Sequence, residues 1–96
     1  MALDREMVTL IRTALPYAPS AMGLVETMER GTNTAFCPAE RKTIRRLAEI
    51  EDSLKDRVEF VATQMILNAS QALRGSEGAR QCVRNGLTTL INLTTN

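Results

Sequence analysis

The chain has 96 residues, a formal net charge of +1, and 44% hydrophobic and 24% charged residues. This length is that of one domain, residues 1–96, and the near-neutral charge excludes a global electrostatic attraction to nucleic acid or to an anionic membrane. The aromatic residues are one tyrosine and two phenylalanines, with no tryptophan. The core is therefore predicted to consist of Leu, Ile, Val, Met and Ala.

Apolar residues near the N-terminus recur at the spacing of one helical face and predict a first helix. They are Leu3, Met7, Leu10, Ile11, Ala14 and Leu15. Pro16 is predicted to end this helix, and residues 16–20 (PYAPS) have the composition of a turn. A short second helix follows and ends at Gly31, before a loop over residues 31–37. Its inward-facing residues are predicted to be Met22, Val25 and Met28.

The most informative feature of the sequence is a long helix, predicted to run from about Pro38 to about Arg74. Proline suits the first turn of a helix, and the apolar positions repeat every eleven residues, which is about three full turns. These positions are Leu47, Ile50, Leu54, Val58, Val61, Met65, Ala69 and Ala72. The apolar stripe therefore runs nearly straight along one side of the predicted helix.

A last helix, from about Glu77 to Leu93, is predicted to pack antiparallel against the long helix. Residues 75–78 (GSEG) form the break between the two helices. The buried face of the last helix is predicted to consist of Ala79, Cys82, Val83, Leu87, Leu90 and Ile91. Gly86 lies on that face, where the absence of a side chain would let a partner helix approach closely.

The predicted long helix conflicts with the size of a compact domain. A helix of about 36 residues is roughly 54 Å long. A compact 96-residue chain has a radius of gyration of about 12.5 Å and therefore a diameter of only about 32 Å. One resolution is a break, for which residues 68–70 (NAS) are a candidate. The other is a second chain that covers the opposite side of the helix, where Phe60 and Leu67 lie. The first two helices could also fold back over those two residues.

We favour the second chain, because the half of the long helix after Val58 is apolar nearly all round and needs cover on more than one side. The predicted fold is all-α: a small bundle of three to four helices, dominated by the long helix and its antiparallel C-terminal partner. We expect this bundle to be completed by oligomerisation, most simply as a homodimer.

The outer face of the long helix is predicted to be basic first and acidic further along. Its basic residues are Arg41, Lys42, Arg45 and Arg46, and its acidic residues are Glu49, Asp52, Asp56 and Glu59. Cations near a helix start oppose the helix dipole, so local helix stability does not explain the basic cluster. Two copies packed antiparallel would place basic against acidic residues at both ends. A solvated face with pairs along one helix, such as Glu51 with Lys55, is the alternative.

Little catalytic chemistry is available to this chain. Because it has no histidine, it lacks Ser-His and Cys-His nucleophile pairs and the commonest zinc sites. Cys37 precedes a helix start, where the helix dipole and nearby Arg41 would lower a thiol pKa. No general base lies beside it in the sequence, so a capping or packing role is expected. Cys82 is predicted to be core, and we predict no enzyme activity, catalytic residue, cofactor or metal site.

The surplus apolar surface and the absence of catalytic groups favour non-enzymatic protein–protein interaction. We predict a small regulator, adaptor, inhibitor or chaperone that binds itself, most simply as a dimer, and another protein. The predicted interaction surface consists of Phe60, Thr63, Leu67 and Arg74. The alternative is binding of nucleic acid or of a small phosphorylated ligand through the basic cluster of Arg41, Lys42, Arg45 and Arg46. The acidic run that follows, and the lack of an aromatic stacking platform, weigh against nucleic acid.

The predicted location is the cytoplasm, of a cell or of an infected host cell, without a membrane partner. No basic and apolar leader opens the sequence, and no apolar run approaches the roughly 18 residues of a membrane span. Two glycosylation sequons, at Asn68 and Asn92, are expected to be chance matches in the absence of a secretory signal.

Overall fold

The computed structural model describes residues 5–30, 36–51 and 56–95, with Phe36 and Cys37 described by their backbone alone. Within these ranges the chain is all-α, as predicted, and forms no strand. The helices are α1 (Arg5–Ala14), α2 (Met22–Arg30), α3 (Phe36–Ile50), α4 (Arg57–Leu73) and α5 (Glu77–Thr94). Two 3-10 turns, Leu15–Tyr17 and Pro19–Ala21, connect α1 to α2. None of the described helices is long and apolar enough to cross a membrane.

The first two helices are present where the apolar spacing predicts them. The buried residues of α1 are Met7, Leu10, Ile11 and Ala14, while Leu3 lies outside the described residues. In α2 the predicted burial of Val25 and Met28 is confirmed, but the prediction for Met22 is wrong, because 48% of its surface is exposed. The buried side of α2 is formed by Leu24, Val25, Thr27 and Met28. Met22 lies on the opposite side of the helix from this group.

The prediction of one long helix from Pro38 to Arg74 is wrong. Helix α3 ends at Ile50, α4 begins at Arg57, and the two helices pack against each other. They are antiparallel, because Glu40 in α3 contacts Arg74 while Arg46 contacts Glu59. The predicted core position Leu54 lies outside the described residues.

The antiparallel arrangement of α3 and α4 resolves the conflict between helix length and domain size. The radius of gyration is 12.3 Å and the extents are 37 × 24 × 21 Å, which agree with a compact chain of this length. The alternative break at residues 68–70 is not observed, because these residues lie inside α4. Two helices of ordinary length therefore replace the projecting helix.

Helix α4 is the centre of the fold and contacts α1, α2, α3, α5 and both 3-10 turns. Its buried residues are Ala62, Thr63, Met65, Ile66, Ala69, Ser70 and Ala72. The prediction that this segment is covered on more than one side is confirmed, but the cover comes from elements of the same chain. Leu67 packs against the core that α1, α2, α4 and α5 share. The apolar character of α4 therefore no longer requires a second chain.

Helices α4 and α5 form a hairpin with the most extensive helix contact in the fold. Gly75 adopts a φ of +103°, which L side chains rarely adopt, and Ser76 caps α5 by accepting a hydrogen bond from the Ala79 amide at 3.1 Å. The predicted close approach at Gly86 is confirmed. A Cβ atom at that position would lie 2.5 Å from Cγ of Met65.

The predicted buried face of α5 is correct at its centre and wrong at its margins. Ala79, Val83 and Leu90 are buried. Cys82 is exposed rather than core, and Ile91 is 49% exposed. At about 100° per residue, Cys82 and Ile91 lie about 180° apart on the two sides of the buried strip. Because α5 is the last helix of the hairpin and packs mainly on α4 and α1, only this central strip is covered.

Candidate functional site

Helix α3 carries the predicted basic cluster and has a buried side and an outward side. It contacts α2, α4 and the 3-10 turn Pro19–Ala21. Thr43 and Ile50 are buried among its described side chains, and the Thr43 hydroxyl donates a hydrogen bond to the Ala39 carbonyl at 2.8 Å. Neither of these two residues belongs to the main core cluster of the other four helices, although Ala39 packs against it. Polar contacts with α4 also join α3 to the rest of the fold.

The first of these contacts joins Arg46 to Glu59. The guanidinium donates from Nε to Oε2 at 2.7 Å and from Nη2 to Oε1 at 2.9 Å, and its Nη1 donates to Glu49 at 3.2 Å. Hydrogen bonding to Arg46 holds the pKa of the Glu59 carboxyl below its ordinary value, although partial burial opposes this shift. The same hydrogen bonds, first from Glu59 and then from Glu49, raise the pKa of Arg46.

This contact gives two residues of the charged face a role within one chain. The sequence predicts that basic and acidic residues of that face meet between two copies, and the structure brings Arg46 and Glu59 together within one chain. The fold can do this because the chain reverses direction between α3 and α4. Arg46 is therefore a structural residue, and Asp52 of the acidic run lies outside the described residues.

The second polar contact lies at the other end of the α3–α4 pair. Glu40 forms an ion pair with Arg74, and the Ser70 hydroxyl, which donates to the Leu67 carbonyl at 2.7 Å, also lies 3.1 Å from Oε1 of Glu40. Arg74 was predicted as part of an interaction surface, and the structure shows it holding α3 against the C-terminal end of α4. Ionic contacts thus fix α3 to α4 at both ends.

The rest of the predicted interaction surface is not gathered on one exposed face. Thr63 is fully buried, and its hydroxyl has no hydrogen-bond partner within the described part of the chain. Phe60 and Leu67 are half-buried. An interface formed by these residues stays a prediction, but Thr63 contributes no surface to it in this structure.

The remaining members of the basic cluster face outward. Together with an isoleucine and an alanine they form what we name the α3 surface, which consists of Arg41, Lys42, Ile44, Arg45 and Ala48. At about 100° per residue, Arg41 and Arg45 lie about 40° apart at its centre, and Ile44 and Lys42 flank them about 60° away on either side. Half of the Ile44 surface is exposed. Sequence reasoning identified the cations and missed Ile44, whose exposure depends on where the predicted long helix divides.

The three cations of the α3 surface, Arg41, Lys42 and Arg45, form no ion pair with any described residue. Arg46, only one residue further along, forms two. The predicted basic cluster is therefore divided into one residue that joins two helices and three that are exposed and unpaired among the described residues.

A groove of about 270 Å³ lies between α4 and α5, and none of the residues that line it belongs to the α3 surface. The side chains that line it are uncharged and include Val61, Gln64, Asn68, Cys82, Asn85 and Thr89. These amide and hydroxyl groups can donate and accept hydrogen bonds, but they supply no acid or base at neutral pH. Among residues 5–30, 36–51 and 56–95, no three His, Cys, Asp or Glu side chains come together as a metal site.

Comparison with known proteins gives no relative from which a function could be transferred. No family model matches the chain, and neither the curated proteins nor the solved structures include a significant match. Function must therefore be inferred from the chemistry of the chain itself.

Proposed function

We propose that the protein is a non-enzymatic protein-interaction module, of the kind that serves as a regulator, adaptor, inhibitor or chaperone, and that it binds an acidic partner through the α3 surface. The observation that carries this proposal is the combination of half-exposed Ile44 with Arg41, Lys42 and Arg45, three cations without an ionic partner among the described residues. Protein interfaces combine an apolar centre with a polar rim and are enriched in arginine.

The charge of the surface specifies the chemistry of the partner. Three cations within two helical turns, none of them paired with a described residue, attract carboxylates and repel basic proteins, which supports selectivity and a fast encounter. Ile44 beside them supplies apolar area that is removed from water on binding. A partner segment with two or more carboxylates beside an apolar side chain fits this arrangement best.

A second candidate function uses the same cations. Arg41, Lys42 and Arg45 could contact the phosphates of a nucleic acid or of a small phosphorylated ligand, since such contacts require only positive charge and donors. The net charge of +1 and the exposed isoleucine favour the acidic protein. Phosphate binding would not depend on Ile44, and this difference separates the two candidates experimentally.

The experiment that tests the proposed function places a photo-crosslinking amino acid at Ala48, which is exposed and one helical turn after Ile44. The full-length protein is irradiated in cells, and the crosslinked peptide is identified by mass spectrometry. The matched control carries the same amino acid at Thr88, an exposed position of α5. Two further proteins combine the crosslinker at Ala48 with Ile44→Ser or with Arg41→Glu and Arg45→Glu.

An adduct with an acidic protein segment that is specific to Ala48 and is lost in both surface variants supports the proposal. An adduct with nucleic acid that is lost only in the arginine variant supports the second candidate instead. Equal adducts at Ala48 and Thr88, or adducts that survive both sets of surface substitutions, would overturn the assignment of the α3 surface.

A further inference from the structure

Helix α2 carries an exposed stripe whose chemistry is opposite to that of the α3 surface. Met22, Glu26 and Glu29 occur at i, i+4 and i+7, which places them along one side of the helix. All three are exposed, and neither glutamate forms an ion pair with a described residue. Arg30 lies beside Glu26 at the end of the helix. We name Met22, Glu26 and Glu29 the α2 stripe.

Both surfaces contain one of the large exposed apolar side chains of the chain. Within the described residues, the large apolar side chains that are exposed are Tyr17, Met22, Ile44 and Ile91. Met22 lies in the α2 stripe at 48% exposure, and Ile44 lies in the α3 surface at 50% exposure. Each of the two surfaces therefore pairs an apolar side chain with charges of a single dominant sign.

The spacing of the two surfaces matches when the helices are antiparallel. Along α2 the positions 22, 26 and 29 are separated by about 6 and 4.5 Å, at about 1.5 Å per residue. Along α3 in reverse, positions 48, 44 and 41 are separated by the same distances, and position 45 lies about 1.5 Å from position 44. This register places Met22 level with Ala48, Glu26 level with Ile44 and about 1.5 Å along the axis from Arg45, and Glu29 level with Arg41.

We infer that the acidic partner of the α3 surface is a second copy of this chain, bound through its α2 stripe. This inference rests on the proposed function, because it names the occupant of the same surface. If α2 of each copy lies on α3 of the other, every favourable pair occurs twice, as an isologous interface requires. The interface differs from the sequence-based one, in which Phe60 and Leu67 supplied the contact.

The test measures solution mass by light scattering after size exclusion, over a wide concentration range and at low and high salt. The wild-type protein is expected to form a dimer or a larger assembly that weakens as salt rises. An acidic-stripe variant carries Glu26→Lys with Glu29→Lys, and a basic-surface variant carries Arg41→Glu with Arg45→Glu. Each variant alone places like charges opposite each other and should weaken self-association by roughly 100-fold or more.

The decisive measurement mixes the two variants. In the mixture, the reversed α2 stripe of one variant faces the reversed α3 surface of the other, and their two unchanged surfaces also face each other. Both contacts are attractive, so a complex that contains both variants should form although neither variant assembles alone. A matched control for the basic-surface variant, Arg12→Glu with Arg57→Glu, makes the same change in net charge at exposed arginines of α1 and α4 and should assemble like the wild type.

A wild-type protein that stays monomeric, an assembly unchanged by either charge reversal, or a mixture that fails to associate would each overturn the inference. All substituted side chains are exposed, and circular dichroism checks that the helices persist. If a charge reversal unfolds the chain, the neutral variant Glu26→Gln with Glu29→Gln provides the same comparison at lower amplitude. Failure of this inference leaves the proposed function open to its own test. Crosslinking at Ala48 would still detect a different acidic protein if the chain does not self-associate.

Discussion

The guanidinium of Arg46 donates two parallel hydrogen bonds to the carboxylate of Glu59, from Nε to Oε2 at 2.7 Å and from Nη2 to Oε1 at 2.9 Å. These bonds join α3 to α4. Paired bonds of this kind fix orientation as well as distance. The sequence predicts that the same arginine contacts another molecule. Because Arg46 is used inside the fold, the proposed contact with a partner rests on Arg41, Lys42 and Arg45, which are exposed.

Replacing Glu59 with glutamine is expected to lower the midpoint of thermal unfolding by about 5 °C. Glutamine keeps the shape of the side chain but replaces the charged carboxylate, whose two oxygens accept the hydrogen bonds from Arg46, with a neutral amide. Glu49→Gln is the matched control, because Glu49 makes a single, more exposed contact with the same guanidinium and such contacts contribute little. Equal shifts for the two variants would contradict a special role for the Arg46–Glu59 pair.

The same pair gives a pH dependence with a defined sign. The pKa of Glu59 is lower in the folded chain than its ordinary value, so the unfolded chain binds the proton more readily. The stabilisation is fully present above the unfolded value of about 4.3 and is lost as pH falls through the lower folded pKa. Urea unfolding between pH 7 and pH 3 should show a steeper acid loss for the wild type than for Glu59→Gln. Parallel profiles would contradict this assignment.

Two glycines of α5 are expected to respond to alanine in opposite ways. At Gly86 the new Cβ would lie 2.5 Å from Cγ of Met65, so Gly86→Ala should cost about 1–2 kcal/mol even after its gain in helix propensity. At Gly78 nothing lies within 4 Å of the new atom, and Gly78→Ala should gain about 0.5 kcal/mol. Urea unfolding measures both effects.

The cause of the Gly86 effect can be isolated with a second substitution. In a Met65→Ala background the crowding atom is absent, so adding Gly86→Ala should cost less than it does in the wild type. A cost that is the same in both backgrounds would show that contact with Met65 is not the reason.

Thr63 should tolerate the loss of its hydroxyl. The side chain is fully buried and its Oγ1 has no hydrogen-bond partner among the described residues, so Thr63→Val removes an uncompensated polar group while keeping the shape. We expect a gain of about 1 kcal/mol in the free energy of unfolding. Thr43→Val is the matched control, since the Thr43 hydroxyl donates to Ala39, and no gain is expected there. A loss for Thr63→Val would indicate a polar role for this hydroxyl.

The sequence predicts the parts of this fold that depend on local spacing. Periodic apolar residues and helix-breaking prolines and glycines locate α1, α2 and α5, and Gly86 predicts the close packing of the hairpin. The division between α3 and α4 could not be predicted in the same way, because the apolar repeat runs through it from Leu47 to Val58 without interruption. The reversal is stabilised by contacts distant in sequence, such as Glu40 with Arg74.

The sequence predicts only part of the candidate site, because the rest depends on contacts between residues distant in sequence. The basic residues of α3 are recognisable in the sequence, but which of them face outward depends on the position of α4. Exposure at the margins of a helix is likewise decided by its neighbours, as Met22 in α2 and Cys82 in α5 show. The sequence does not reveal the α2 stripe, because the apolar spacing predicts that Met22 faces inward.

Among its described side chains, helix α3 contributes no fully buried residue to the core shared by the other four helices, and ion pairs join it to α4 at its two ends. The proposed recognition surface and the shared core therefore involve different residues. If the α3 surface binds a partner as proposed, substitutions on it would alter that binding while leaving the core packing intact. Such a layout would let a small protein acquire new partners through a few surface changes without first acquiring extra stability.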